Sequence, residues 1–289
     1  MIKTIEDIKQ EGVNENVIYC GDCLEILPYI SNDSIDLVVT SPPYNIGIEY
    51  DNWNDRMRWD EYYNWCRKWL KEIYRVLKPD GRFCLNHYFS FGFGKRGYKI
   101  GKKKGTEQGE NSDNGVRVSP LMDLNYIAVN EIGFKHHSVA VWEDITLARK
   151  TAWGSWLSAT SPYINSPFEG ILFLYKQYWK KQSKGVSDID KKEFVDLTRG
   201  IWKIRTEINR LTPASFHLDL PMKCIKLLSY VNDLVLDPFS GSGTTALACK
   251  ILNRRFIGIE ISRNYCEIAR QRIESVPDSL FSCFDNKKK

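Results

Sequence analysis

Apolar positions along the chain gather into short continuous runs at 17–20, 36–40, 82–87, 137–142, 171–176, 234–237 and 256–260. Several lack the alternation of a half-exposed strand, and continuous runs of this length belong to strands covered on both faces. Residues 59–77 instead carry apolar side chains at helical spacing and stop before Pro79, Asp80 and Gly81, which read as a helix end. Residues 222–230, 244–252 and 264–274 repeat the helical spacing. Seven strands with helices between them predict an α/β fold with a parallel or mostly parallel, doubly wound sheet.

Two stretches break this rhythm. Residues 90–119 are rich in Gly, Lys, Asn and Ser and are too long for an ordinary connection. Residues 178–212 are charged, with Trp179, Phe194 and Trp202 scattered among them. Both read as insertions or a small appended module.

Composition narrows the class. The 289 residues, 43% hydrophobic and 27% charged, describe a globular chain rather than a disordered or fibrous one. No apolar run approaches the roughly 18 residues that span a bilayer, and the N-terminal segment has no signal-peptide core, so the expectation is a soluble, cytoplasmic protein. The eight cysteines read as reduced thiols packed as small hydrophobes. Cys20 and Cys23 alone stand at metal-like spacing, and without a second pair no metal site is read.

The net charge is only +5, but it is concentrated: Lys95, Arg96, Lys99, Lys102, Lys103 and Lys104 fall in ten residues without an acid. Such a run permits contact with a polyanion and equally suits a solvated loop.

Candidate chemistry lies at two strand ends. The run Leu234 to Asp237 leads through Pro238, Phe239 and Ser240 into a turn with Gly241 and Gly243, then into a helix beginning at Thr244. Backbone there can approach a ligand where a side chain would block it. Neither a Walker phosphate loop nor a full dinucleotide fingerprint is present. The next strand ends in Glu260, an acid placed to accept hydrogen bonds from ribose hydroxyls; a helix N-terminal acid is the other reading. The run ending at Thr40 enters Ser41, Pro42, Pro43 and Tyr44. Two prolines cannot continue the ladder, and they hold the preceding carbonyls in a fixed outward orientation. An amino group there would meet the Ser41 hydroxyl and the Pro42 carbonyl, with the Tyr44 ring as a stacking face; a turn around a buried tyrosine is the alternative.

In combination these segments resemble S-adenosylmethionine-dependent DNA amino-methyltransferases. Residues 237–245 resemble the family's cofactor loop and residues 40–45 its catalytic loop, and the resemblance covers most of the chain. Tyr19 to Cys23 matches the segment whose acid, here Asp22, is expected near the cofactor adenine, with Cys23 beside it. Residues 76–83 match the turn before the fifth sheet strand. Residues 212–217 resemble the element before the cofactor loop, with Thr212 in place of its histidine and His217 in place of its last proline, and imply a methionine-end contact from Phe216. The catalytic loop precedes the cofactor loop, the permuted order of the β group. Protein and ribosomal methyltransferases with an Asn-Pro-Pro-Tyr loop usually show the reverse.

The resemblance implies a circularly permuted class I, Rossmann-like sheet of seven strands, one of them antiparallel, with the strand near Val17 supplied beside the two C-terminal strands. Residues 1–144 and 213–289 would form the catalytic and cofactor-binding domain, and 145–212 a target-recognition region that includes strand 171–176. Trp153 and Trp156 in that region suit base readout or core packing equally. The implied activity is transfer of a methyl group from S-adenosylmethionine to an exocyclic amine of a base flipped out of duplex DNA. A serine before Pro-Pro-Tyr favours cytosine N4, with adenine N6 as the alternative and an inactive DNA-binding homologue as the non-enzymatic one. A paired restriction endonuclease is a possible partner, and the sequence does not distinguish monomer from homodimer.

Overall fold

A computed structural model describes residues 2–89, 91–92, 117–144, 157–160, 168–205, 211–213 and 216–276. The basic run holding Lys95, Arg96, Lys99, Lys102, Lys103 and Lys104, and the Trp153 and Trp156 segment, lie outside the described residues.

In chain order the elements are β1 (Ile2–Lys3), α1 (Ile5–Glu11), β2 (Val17–Cys20), α2 (Cys23–Ile26), β3 (Ile35–Thr40), α3 (Trp59–Val76), β4 (Leu77–Tyr88), β5 (Phe91–Gly92), β6 (Arg117–Val118) and α4 (Pro120–Tyr126). There follow β7 (Lys135–Asp144), β8 (Phe168–Tyr175), α5 (Lys191–Leu197), β9 (Ile201–Ile204), α6 (Asp219–Leu228), β10 (Leu234–Asp237), α7 (Thr244–Ile251), β11 (Arg255–Glu260) and α8 (Arg263–Glu274).

Nine of the described strands form one sheet in the order β1-β2-β11-β10-β3-β4-β8-β7-β9. Only β8 runs against the rest: it is antiparallel to both β4 and β7, and every other neighbouring pair is parallel. The sheet is therefore larger than the seven strands expected. The additions are at its edges, a two-residue β1 beside β2 and the four-residue β9 beside β7. With β9, part of the stretch read as an insertion at 178–212 joins the main sheet. The strand at Val17 does lie beside β11, so the two ends of the chain close one sheet.

Helix α3 ends at Val76, as its pattern predicts, but the chain passes straight into β4. Ile35 pairs with Leu77 and Leu37 with Arg82, so Pro79, Asp80 and Gly81 bulge out of the ladder. Both faces of the sheet are covered. Tyr62, Trp69, Leu70 and Ile73 of α3 are fully buried on one face, and Cys224, Ile225, Ala248, Cys249, Cys266 and Ala269 of α6, α7 and α8 on the other. That double cover is why β3 and β10 are buried at every position. Cys23, Cys66, Cys84, Cys224, Cys249 and Cys266 are buried free thiols packed as apolar side chains. No described helix is long and apolar enough to cross a membrane.

The topology places the site. From β10 the chain crosses through α7 to β11 on one side, and from β3 through α3 to β4 on the other. Between β10 and β3 the winding reverses, and a crevice opens outside their carboxyl ends, where doubly wound sheets bind ligands.

Candidate active site

That crevice is a cleft of about 890 Å³ lined from several directions. Asp22 and Cys23 come from the end of β2, Pro238, Phe239, Gly241 and Thr244 from the turn after β10, and Glu260 from the tip of β11. Ser41 and Pro43 reach it from the end of β3, and Thr212 and Phe216 from the segment before α6. The cleft thus brings the glycine-rich turn and the Ser-Pro-Pro-Tyr turn into one space. Pro42, Tyr44, Thr40, Asp237 and Gly243 are not among the residues that line it.

Glu260 is held from both sides: Gly241 N donates to Oε2 and Ser262 N to Oε1, each at 2.8 Å. Burial pushes its carboxyl above the usual range, and those two amides act against the rise. Each oxygen keeps a lone pair for a further donor. Gly241 stands at φ +52°, a left-handed conformation that glycine adopts without strain. Gly243 has a different task. At φ +75°, a Cβ on it would come within 2.7 Å of Ala269 Cβ, so this glycine lets α7 approach α8 and does not touch the cleft.

Asp237 lies underneath the site. It accepts from Thr40 Oγ1 at 2.6 Å and from Phe239 N at 3.1 Å, which ties the ends of β3 and β10 together. Burial pushes its pKa up to about 6, with Thr40 opposing the shift. Asp22 caps α2 by accepting from Leu24 N at 2.8 Å. The Cys23 thiol is pushed well above its ordinary pKa by burial, so it is not a thiolate nucleophile.

The Tyr44 ring is not the open stacking face expected from the sequence. It is only 7% exposed, with ring centroids 4.5 Å from His87 and 4.8 Å from Tyr88. Its hydroxyl accepts from Ser41 Oγ at 2.7 Å and faces Asn86 Oδ1 at 2.9 Å and Glu169 Oε2 at 2.8 Å. The Pro43 carbonyl accepts from Tyr62 Oη at 2.7 Å. Among the described residues no donor reaches the Pro42 carbonyl, so of the two proline carbonyls it is the one available to a new donor. His87 Nε2 lies 3.0 Å from the same Tyr62 hydroxyl, and burial lowers the imidazole pKa to about 3, so the ring is neutral.

Sequence reasoning missed one wall of the cleft, made by Tyr50, Asn52, Trp53 and Trp65. Trp53 packs on Trp65 with centroids 4.6 Å apart, and Trp65 on Phe239 at 5.4 Å. The loop that carries Trp53 is pinned by buried Asp55, which accepts from the backbone amides of Asn45, Ile46 and Ile48 at 2.7, 3.0 and 2.9 Å. Asp51 anchors it a second time, accepting from Ser262 Oγ at 2.9 Å and Asn264 Nδ2 at 3.0 Å. The left-handed Asn45 and Gly47 directly after the Ser-Pro-Pro-Tyr turn were the available signal for so tight a loop.

An acid at a strand tip beside a glycine turn, at the switch point of a mostly parallel sheet, is the layout of a nucleoside-binding α/β protein. Comparison with known proteins gives the family. A model described as DNA methylase, that of the N6 and N4 enzymes, matches residues 35–271, and the chain belongs to this family. The type II methyltransferase M.MjaVI of Methanocaldococcus jannaschii is 39% identical over 189 residues, covering 65% of this chain and 86% of its own. M.BglII of Bacillus subtilis is 30% identical over 282 residues, covering 91% and 70%. Among solved structures, the cytosine-N4-specific PvuII DNA methyltransferase has the same fold at a TM-score of 0.63 and 21% identity, over 91% of this chain and 88% of that one. A Thermus thermophilus protein assigned by inference as a DNA modification methylase, complexed with S-adenosyl-L-methionine, superposes at 0.67 with 24% identity, over 89% and 93%.

Proposed function

We propose that this DNA methylase transfers a methyl group from S-adenosyl-L-methionine to the exocyclic N4 amine of a cytosine flipped out of duplex DNA. The observation that carries the reading is the continuity of one cleft from the Glu260 carboxylate to the Ser41 hydroxyl. A nucleoside-bearing methyl donor at one end and an amine at the other share that space.

The residues present fit the cofactor. Glu260 has an unused lone pair on each oxygen for the two ribose hydroxyls, Asp22, which lines the cleft, is assigned to the adenine amine, and the Trp53, Trp65 and Phe239 rings make an apolar wall for a flat base. Phe216 is assigned to the methionine end, and the open backbone at Gly241 admits the ligand closely. When bound, the cofactor supplies a methyl group made electrophilic by its sulfonium.

The chain's own residues prepare the acceptor. An exocyclic amine is a poor nucleophile because its lone pair is delocalised into the ring. Ser41 gives its own proton to Tyr44, so its lone pairs are left to accept one N–H of the amine, and the Pro42 carbonyl accepts the other. Held by both, the nitrogen moves toward tetrahedral geometry with its lone pair aimed at the methyl group. A hydroxyl and a carboxylate can both accept the amine proton, so the choice of cytosine rests on the resemblance of a serine before Pro-Pro-Tyr to the loop of cytosine-N4 enzymes. The target leaves the stack at a cost of a few kcal/mol.

DNA contact is assigned to Lys95, Arg96, Lys99, Lys102, Lys103 and Lys104 through phosphates, and target reading to the region 145–212. A restriction endonuclease of the same specificity is the partner this activity would protect against. Mapping of methylated bases on unmodified plasmid DNA, with nucleoside analysis of the product, tests the assignment.

A further inference from the structure

The Tyr44 hydroxyl sits among three oxygens: Ser41 Oγ at 2.7 Å, Glu169 Oε2 at 2.8 Å and Asn86 Oδ1 at 2.9 Å. Asn86 presents its oxygen to the phenol because its Nδ2 donates to the Gly170 carbonyl at 3.2 Å. A phenol oxygen has one proton to give and two lone pairs with which to accept. Ser41 fills one lone pair, and the single Tyr44 proton can serve only one of the two remaining oxygens. With Glu169 ionised, the cluster is one proton short. With a proton on Glu169 Oε2, Tyr44 accepts from Ser41 and Glu169 and donates to Asn86, and all three contacts become hydrogen bonds.

This shortage equals what the reaction must discard, because an amine that gains a methyl group has one proton too many. We infer that Glu169 is the terminal proton acceptor of the methyl transfer, reached from the amine through Ser41 and Tyr44. The inference rests on the amine-methylation reading but not on which base carries the amine. As the nitrogen lone pair forms the new N–C bond, the electron pair of the broken S–C bond stays on sulfur, leaving a neutral thioether. The nitrogen releases one proton to Ser41 Oγ, Ser41 passes its own to Tyr44 Oη, and Tyr44 passes its own to Glu169 Oε2. The positive charge that entered with the sulfonium is thereby cancelled by the carboxylate, and no further base is required. Acting through Tyr44, Glu169 is a positioning residue that also stores the proton. It reaches the cluster from β8, the one strand that runs against the others, where it pairs with Tyr88 of β4 and Trp142 of β7.

The test uses the full chain and a duplex containing a site that the wild-type protein methylates. Glu169→Gln keeps size and hydrogen bonding but holds a proton far more weakly, and Tyr44→Phe keeps the ring and breaks the relay. Each should lower the single-turnover methylation rate by about 100-fold or more, the lower range for a positioned proton acceptor. Dissociation constants for S-adenosyl-L-methionine and for the duplex should stay within about twofold, and the double variant should be no slower than the slower single one. A Glu169→Gln rate within about threefold of wild type would overturn the relay, as would losses that multiply in the double variant or a rate loss matched by lost affinity for either ligand. A wild-type chain that methylates no DNA would overturn the activity itself, whereas an active wild type with an equally active Glu169→Gln would overturn the relay alone.

Discussion

Ser41 Oγ donates to Tyr44 Oη across 2.7 Å, and this bond decides which way the serine presents its lone pairs. With its proton committed to Tyr44, the hydroxyl faces the cleft as an acceptor. Ser41→Ala removes that acceptor together with the hydrogen bond to Tyr44. Methylation should fall by about 10²- to 10⁴-fold, the range for a group acting on a proton in the transition state, while cofactor affinity measured by calorimetry stays within about twofold. Methylation at the wild-type rate would remove Ser41 from the chemistry.

Glu260 is predicted to carry cofactor affinity and local stability together. Glu260→Ala takes away the whole carboxylate proposed to accept from the ribose, and leaves the Gly241 and Ser262 amides without a partner at about 1–3 kcal/mol each. Affinity for S-adenosyl-L-methionine should drop at least about tenfold in a titration, and the melting temperature should fall as well. Unchanged affinity would move the nucleoside elsewhere.

The two glycines after β10 should separate by experiment. Gly243→Ala sets a methyl group 2.7 Å from Ala269 Cβ at a left-handed φ, so it should destabilise the fold by about 1–3 kcal/mol. Folded protein should bind cofactor nearly as well as before. Gly241→Ala, which meets nothing closer than Thr212 Oγ1 at 3.8 Å, should be milder for stability and worse for binding, because Gly241 lines the cleft. Denaturant melts and calorimetry on the pair would reveal a reversed order if the roles are misassigned.

Asp237 makes a pH prediction with a definite sign. An acid raised from 3.8 to about 6 by burial holds its proton more tightly folded than unfolded. Below about pH 4 both states are protonated; as pH rises through 4 to 6 the unfolded chain ionises first, and stability is lost. The loss attributable to this residue approaches about 3 kcal/mol at neutral pH, and Asp237→Asn should abolish it. Urea melts at several pH values would show the difference between wild type and variant widening from pH 4 to 6. Parallel curves would contradict the assignment.

Much of the architecture was legible because the information was local. β2, β3, β10 and β11 are mostly apolar runs without a polar alternation, and the turns after β3 and β10 carry their glycines and prolines in a few consecutive residues. β9 was not legible: four residues, Ile201 to Ile204, alternate exposed and buried and look like any short loop until β7 is seen beside them. Helix α4 could have been found from Ser119 followed by Pro120, a helix-start signal. Asn86 and Glu169 carry no local mark. They meet Tyr44 across 42 and 125 positions of chain, and only the pairing of β4 with β8 brings them together.

The most direct measurement is incubation of the purified chain with S-adenosyl-L-methionine and unmodified plasmid DNA, followed by nucleoside digestion and mass spectrometry. N4-methylcytosine is the predicted product. N6-methyladenine would keep the site chemistry and contradict the choice of base, and the absence of any methylated nucleoside on DNA of varied sequence would contradict the activity.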